Sequence, residues 1–247
     1  MPFRRLVLAV AATVLCAPPA LAKPVDFAKA VADPLRSEDN RKLDEGRHPA
    51  EVLAFSGVAP GQSVVDFMAG GGYYTELLAQ VVGPTGTVYA TDPPSFHDAK
   101  SWNRPGLTRP NIRLLLQPLA QAQLATHSID TIFAHMSYHD LYWESKKYEY
   151  PRLDVPRVLA NWFAAVRPGG HVVIVDHVGL PDDPRVSVEK FHRIDPERVK
   201  ADMAAAGFVL EEQSNLLQRS EDAHDKSVFD PAIRGKTDRF MLKFRHP

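Results

Sequence analysis

Short apolar runs punctuate this chain, and between them apolar residues return at spacings of three and four. The runs at 64–67, 87–91, 112–116, 129–134 and 171–175 have the length of buried strands, and the last is almost continuously apolar, as a strand covered on both faces should be. Residues 50–58, 73–82, 154–166 and 196–206 carry helical spacing. Gly57 and the Arg167-Pro168-Gly169-Gly170 segment stop two of these helices, and Pro196 stands near the start of another. Gly207-Phe208-Val209-Leu210 opens a sixth strand, and residues 238–244 alternate as a seventh that pairs with it. Strands alternating with helices predict an α/β fold, and right-handed crossovers make its sheet mostly parallel. The long polar connection 217–237 reads either as a lid over a site or as an exposed hairpin loop.

One stretch organises the rest. In VVDFMAGGGYYT, residues 64–75, an apolar run ends at an acid, passes a glycine turn and opens a helix. That succession brings backbone N–H groups and a helix N-terminus to a nucleotide-like ligand. A dinucleotide site of the form G-x-G-x-x-G, read from Gly70, needs a third glycine where Thr75 stands, which weakens an NAD-dependent reading. Asp92 ends the next strand about 20 residues on, where an acid can accept bonds from ribose hydroxyls. The alternative for Asp92 is an Asx turn before Pro93-Pro94.

The stretch resembles motif I of class I S-adenosylmethionine-dependent methyltransferases, acidic-x-G-x-G-x-G, with Asp66 as the acid, Gly70 and Gly72 as its later glycines, and Met68 in place of the first. The resemblance covers about residues 49–247. It implies a Rossmann-like fold, a seven-stranded sheet of order 3-2-1-4-5-7-6 flanked by helices, and S-adenosylmethionine as cofactor. GGGYYTE, YHDLYW, HRID and the tail 228–240 look like those of exported bacterial predicted methyltransferases. Asp66, Gly70, Gly71, Gly72, Asp92 and His135 form the expected cofactor-binding set. The pattern's acid for the adenine amino group is missing, since Gln117-Pro118-Leu119-Ala120 follows the third strand. His139-Asp140 resembles the His-Asp pair of plant-type small-molecule O-methyltransferases, which implies His139 as general base beside Asp140; a structural histidine under the strand end is the alternative.

His139, Asp140, Asp176, His177, His192, Arg193 and Asp195 also suggest an acceptor pocket, but spread over three loops they have no diagnostic ligand spacing, and no metal is expected. Residues 93–110 form a long irregular stretch suited to covering adenosine. In the charge-rich segment before residue 49, Arg41 or Arg47 is a candidate for the cofactor carboxylate, with solvated surface arginines as the alternative.

The first 22 residues have another purpose. Arg4-Arg5, an apolar core over 6–17 and Ala20-Leu21-Ala22 make a secretory signal cut after Ala22. That core is roughly half of the ~20 residues that span a bilayer, so no permanent membrane span is expected. Three regions follow: the signal at 1–22, an extension at 23–48 and a methyltransferase domain at 49–247. Export to the periplasm follows if the source is a Gram-negative bacterium. Cleavage would remove the single cysteine, Cys16, and leave 27 basic against 30 acidic residues from the full chain's 29 and 30. That near balance gives no reason to bind nucleic acid. The function expected is methyl transfer to a small molecule, at oxygen; the rival is an exported module that binds S-adenosylmethionine or a nucleoside without turnover.

Overall fold

The computed structural model describes residues 25–119 and 124–247. The expected signal at 1–22 lies outside them, as does Ala120 of the segment after the third strand. Seven strands form one sheet: β1 Ser63–Phe67, β2 Thr87–Asp92, β3 Ile112–Leu116, β4 Ile129–His135, β5 Val166–His177, β6 Val209–Ser214 and β7 Arg239–Arg245. Their order is β3-β2-β1-β4-β5-β7-β6. The first five are parallel, and β7 runs antiparallel to both β5 and β6. Strand order reverses between β1 and β4, so a crevice opens beyond their carboxyl ends, where open α/β sheets bind ligands.

The apolar runs are continuous because both faces are covered. Nine α-helices flank the sheet among the described residues: α1 Phe27–Val31, α2 Glu38–Arg41, α3 Asp44–Arg47, α4 Pro49–Ser56, α5 Tyr73–Val82, α6 Ala99–Trp102, α7 Val155–Ala165, α8 Pro184–Phe191 and α9 Pro196–Ala205. Val64 packs on one side with Leu53, Leu77, Leu78 and Phe133. Val65 and Phe67 pack on the other with Ile132, Leu159, Trp162 and Val199. Alternate residues of β1 thus feed opposite cores, as the two-residue period of a strand requires.

Helix α6, inside the stretch 93–110 expected to be irregular, helix α8 and the start of β5 depart from the sequence expectation. Helix α8 was hidden in a polar stretch, although its start has the same chemistry as that of α9: Asp183 caps it by accepting from the backbone N–H groups of Arg185 and Val186, and Pro184 opens it. Strand β5 begins at Val166, drawing in the Arg167–Gly170 segment expected to stop the helix before it, and its register against β4 shifts there.

The extension is fastened over α5. Buried Arg36 makes a two-pronged pair with Asp44 at 2.8 and 2.7 Å, and the Tyr73 hydroxyl donates to the same carboxylate at 2.6 Å. Asp33 pairs with Arg109. The β6–β7 connection is also tied down. Fully buried Arg193, just beyond α8, donates to Asp222 at 2.9 Å and to the Val178 and Lys226 carbonyls, while Asp222 accepts the Asp238 backbone N–H at 2.7 Å.

Candidate active site

The glycine turn is held from beneath and open above. Met68, in the position of the motif's first glycine, takes φ +52° itself, and Gly70 and Gly72 follow at +54° and +74°. A Cβ on Gly70 or Gly71 would meet nothing within 4 Å, so this backbone faces open space. Trp102 Nε1 donates to the Gly70 carbonyl at 2.8 Å and Arg104 Nη2 to that of Gly71 at 2.5 Å. Arg104 is braced by buried Glu76, which also accepts from Asn40 Nδ2, both at 2.7 Å. The 93–110 stretch therefore clamps the turn, a role that its sequence did not reveal.

Asp66 accepts from the Thr75 hydroxyl at 2.5 Å. Burial pushes its pKa up to about 7 against that bond. Asp92 takes the Gly70 N–H on Oδ1 at 3.3 Å, while its Oδ2 is buried without a partner. Burial raises the Asp92 pKa to about 6. His135 Nε2 is likewise buried and unpartnered, and burial, with the Arg47 charge adding to it, holds that imidazole neutral. Asp66, Gly70, Gly71 and His135 line a cleft of about 280 Å³, closed on one side by Asn40, Leu43 and Arg47 from the extension. Gly72 and Asp92 stand outside that lining. A ligand with a diol for the orphaned Asp92 oxygen and a body lying on the open glycine backbone fits this donor and acceptor set. Of the two arginine candidates, Arg47 lines the cleft, while Arg41 donates to the Asp33 carbonyl at 2.9 Å.

The second cluster lies at the ends of β4 and β5. His139 Nδ1 is 2.8 Å from Asp176 Oδ1, its backbone N–H donates to Asp176 Oδ2 at 2.9 Å, and Nε2 is 3.5 Å from Asp140 Oδ1. Burial opposes a charge here, but the two carboxylates outweigh it and raise the His139 pKa to about 9. Burial also lifts Asp140 to about 6. The two carboxylates favour the charged form of His139, which has no lone pair for a substrate proton. The same Asp176 accepts the His177 backbone N–H at 2.7 Å, and His177 Nδ1 is 2.8 Å from Thr237 Oγ1. Burial keeps His177 neutral.

The loops converge more than their spacing suggested: His139, Asp140 and His192 offer ligand atoms within 4.8 Å of one another. Two imidazoles and one carboxylate are not the all-oxygen set that magnesium takes. Asp195 caps α9, and Arg193 is committed to Asp222. Of the expected acceptor-pocket residues, His177 reaches the wall of a second cavity, about 830 Å³ in volume. This cavity meets the cofactor cleft along Leu43, Arg47 and Met136, which line both. The sequence reading missed Arg219, Arg234, Lys236 and Arg239 on its wall; their clustering in the tail before β7 was the available signal.

The order β3-β2-β1-β4-β5-β7-β6 with an antiparallel β7, a glycine turn after β1 and an acid ending β2 together match the class I S-adenosylmethionine-dependent methyltransferase fold. Residues 65–174 match the family model described as a methyltransferase domain. An arsenite methyltransferase from Halobacterium salinarum is 28% identical over 160 residues, which are 63% of this chain and 36% of that protein, so the match spans about a third of the relative's length. A SAM-dependent methyltransferase from Aquifex aeolicus superposes with a TM-score of 0.58 at 19% identity, over 90% of this chain and 99% of that one. A geranyl diphosphate C-methyltransferase from Streptomyces coelicolor, solved with S-adenosyl-L-homocysteine, has a TM-score of 0.56 at 15% identity, covering 91% of this chain and 89% of its own. Residues 65–174 are thus similar to a methyltransferase domain, and the chain has the fold of class I SAM-dependent methyltransferases.

Proposed function

We propose that this protein transfers the methyl group of S-adenosylmethionine to an oxygen of a small molecule held in the larger cavity. The observation that carries this reading is the place of His177 on the wall of a cavity that adjoins the cofactor cleft, where burial disfavours its charged form. S-adenosylmethionine supplies an electrophilic methyl group. Asp92, the open backbone of Gly70 and Gly71, and His135 would hold it, with Arg47 available to its carboxylate. With Nδ1 hydrogen-bonded to Thr237, His177 keeps the Nε2 lone pair for the acceptor hydroxyl proton as the oxygen takes the methyl group. His139 and Asp140 act one step back, fixing the Asp176 carboxylate beneath His177.

Arsenite is the substrate named for the Halobacterium relative. Arsenic(III) is thiophilic, and the one cysteine of this chain, Cys16, lies in the segment outside the described residues. A hard oxygen nucleophile suits the imidazole and arginine lining better. We also infer export, supported by Arg4-Arg5, the short apolar core and Ala20-Leu21-Ala22.

Paired variants test the reading with methyl-labelled S-adenosylmethionine and pooled small-molecule extract as acceptor. His177→Gln should keep S-adenosylhomocysteine affinity and lower turnover ~100-fold or more. Asp92→Ala should weaken cofactor affinity by ~1.5–3 kcal/mol by calorimetry while remaining folded. Full turnover by folded His177→Gln would remove the base assignment. Cofactor binding with no methyl release from any extract would favour the binding-module rival.

A further inference from the structure

The larger cavity concentrates positive charge that its neighbouring side chains only partly offset. Its wall carries Lys42, Arg47, Arg219, Arg234, Lys236 and Arg239 against Glu45 and Glu221, six cations to two acids. Among the described residues, all of these cations except Lys42 are without an ion pair to a carboxylate. Arg239 is the decisive one because it is only 4% exposed. Its hydrogen bonds go to the Gly46 carbonyl at 2.8 Å, the Gly235 carbonyl at 3.3 Å and the Thr237 hydroxyl at 3.3 Å, all neutral groups. Those bonds use three of the five N–H groups of a guanidinium. Burial, with repulsion from Arg47 adding to it, pulls the Arg239 pKa down to about 10. A buried cation without a counter-charge is costly in a folded chain, and an arriving anion relieves the cost.

Arg47 borders the cofactor cleft and lies 4.3 Å over the Tyr73 ring, so one cation is available to the cofactor's own carboxylate. Arg219, Arg234, Lys236 and Arg239 still outnumber the two glutamates. Leu43, Met136, Val228 and Phe229 supply apolar wall in the same cavity, and Leu43 and Met136 also line the cofactor cleft. We propose that the methyl acceptor is a soluble small molecule with a carboxylate or phosphate group on an apolar body, its anion held by Arg239 and the rim cations and its hydroxyl turned to His177. This rests on the reading of the adjoining cleft as the S-adenosylmethionine site.

The test is calorimetric titration of the full chain, first with S-adenosylhomocysteine alone and then, at saturation, with phenol, 4-hydroxybenzoate and phenyl phosphate. The two anions should bind at least tenfold tighter than phenol and lose affinity as salt rises. Their relative affinities distinguish a carboxylate site from a phosphate site. Arg239→Met should weaken anion binding at least tenfold and leave S-adenosylhomocysteine affinity unchanged; should that protein fail to fold, the exposed pair Arg234→Met with Lys236→Met carries the same expectation. Phenol binding as well as the anions, anion affinity unmoved by these variants, or binding only to phosphatidylglycerol vesicles would each overturn the proposal. Failure of S-adenosylhomocysteine to bind would instead overturn the cofactor reading, and titration of the same anions without it would then judge the cavity separately.

Discussion

His139 joins two strand ends through one charge, so its titration should be visible in stability. Its pKa rises from 6.5 to about 9 on folding because the attraction of Asp176 and Asp140 outweighs the opposing effect of burial. A group with a raised folded pKa contributes stability that is complete below the unfolded value and disappears as pH passes the folded one. The Tm advantage of wild type over His139→Gln should therefore be full below pH 6.5 and shrink steadily toward pH 9. A difference that stays constant across this window would mean that the imidazole is neutral in the folded protein. At this scale the identities of the residues were legible, but their charge states were not. His139 next to Asp140 was legible; Asp176, 37 residues away, sets the charge.

Elements were more legible than residues wherever their own periodicity governed them. Helix α5 and strand β3 need nothing beyond their apolar spacing, whereas α8 depends on Asp183 and Pro184 at its start and exposes much of its length. The clamp of Trp102 and Arg104 on the glycine turn was invisible because it acts on carbonyl oxygens, which have no sequence signature. Tertiary charge pairs govern the β6–β7 connection in the same way. Arg193 is fully buried, and Asp222 is its carboxylate partner. Asp222→Ala leaves that guanidinium without a counter-charge and should cost ~3–5 kcal/mol, measured by urea unfolding. A loss below ~1 kcal/mol, the scale of an exposed pair, would show that water replaces the carboxylate.

For the whole molecule, the leader and the folded domain make separate forecasts. Mass spectrometry of protein from the source organism should find a chain beginning Lys23-Pro24; intact cytosolic protein retaining Met1 would sink the export proposal. The sheet order was reachable only through the glycine-turn resemblance, since periodicity names strands without ordering them. The cations clustered before β7 were legible, but the cavity was not, because its wall comes from the extension before α4, the end of β5 and the connection into β7. That connection is moored to Arg193 through Asp222 and Lys226, and Asp222 also holds the start of β7. Its ordering is completed when the chain folds, so catching an acceptor consumes little further chain entropy. Entry then resembles passage through a fixed charged funnel: encounter is hastened by the field of its mouth, and discrimination happens on arrival rather than by the closing of a latch.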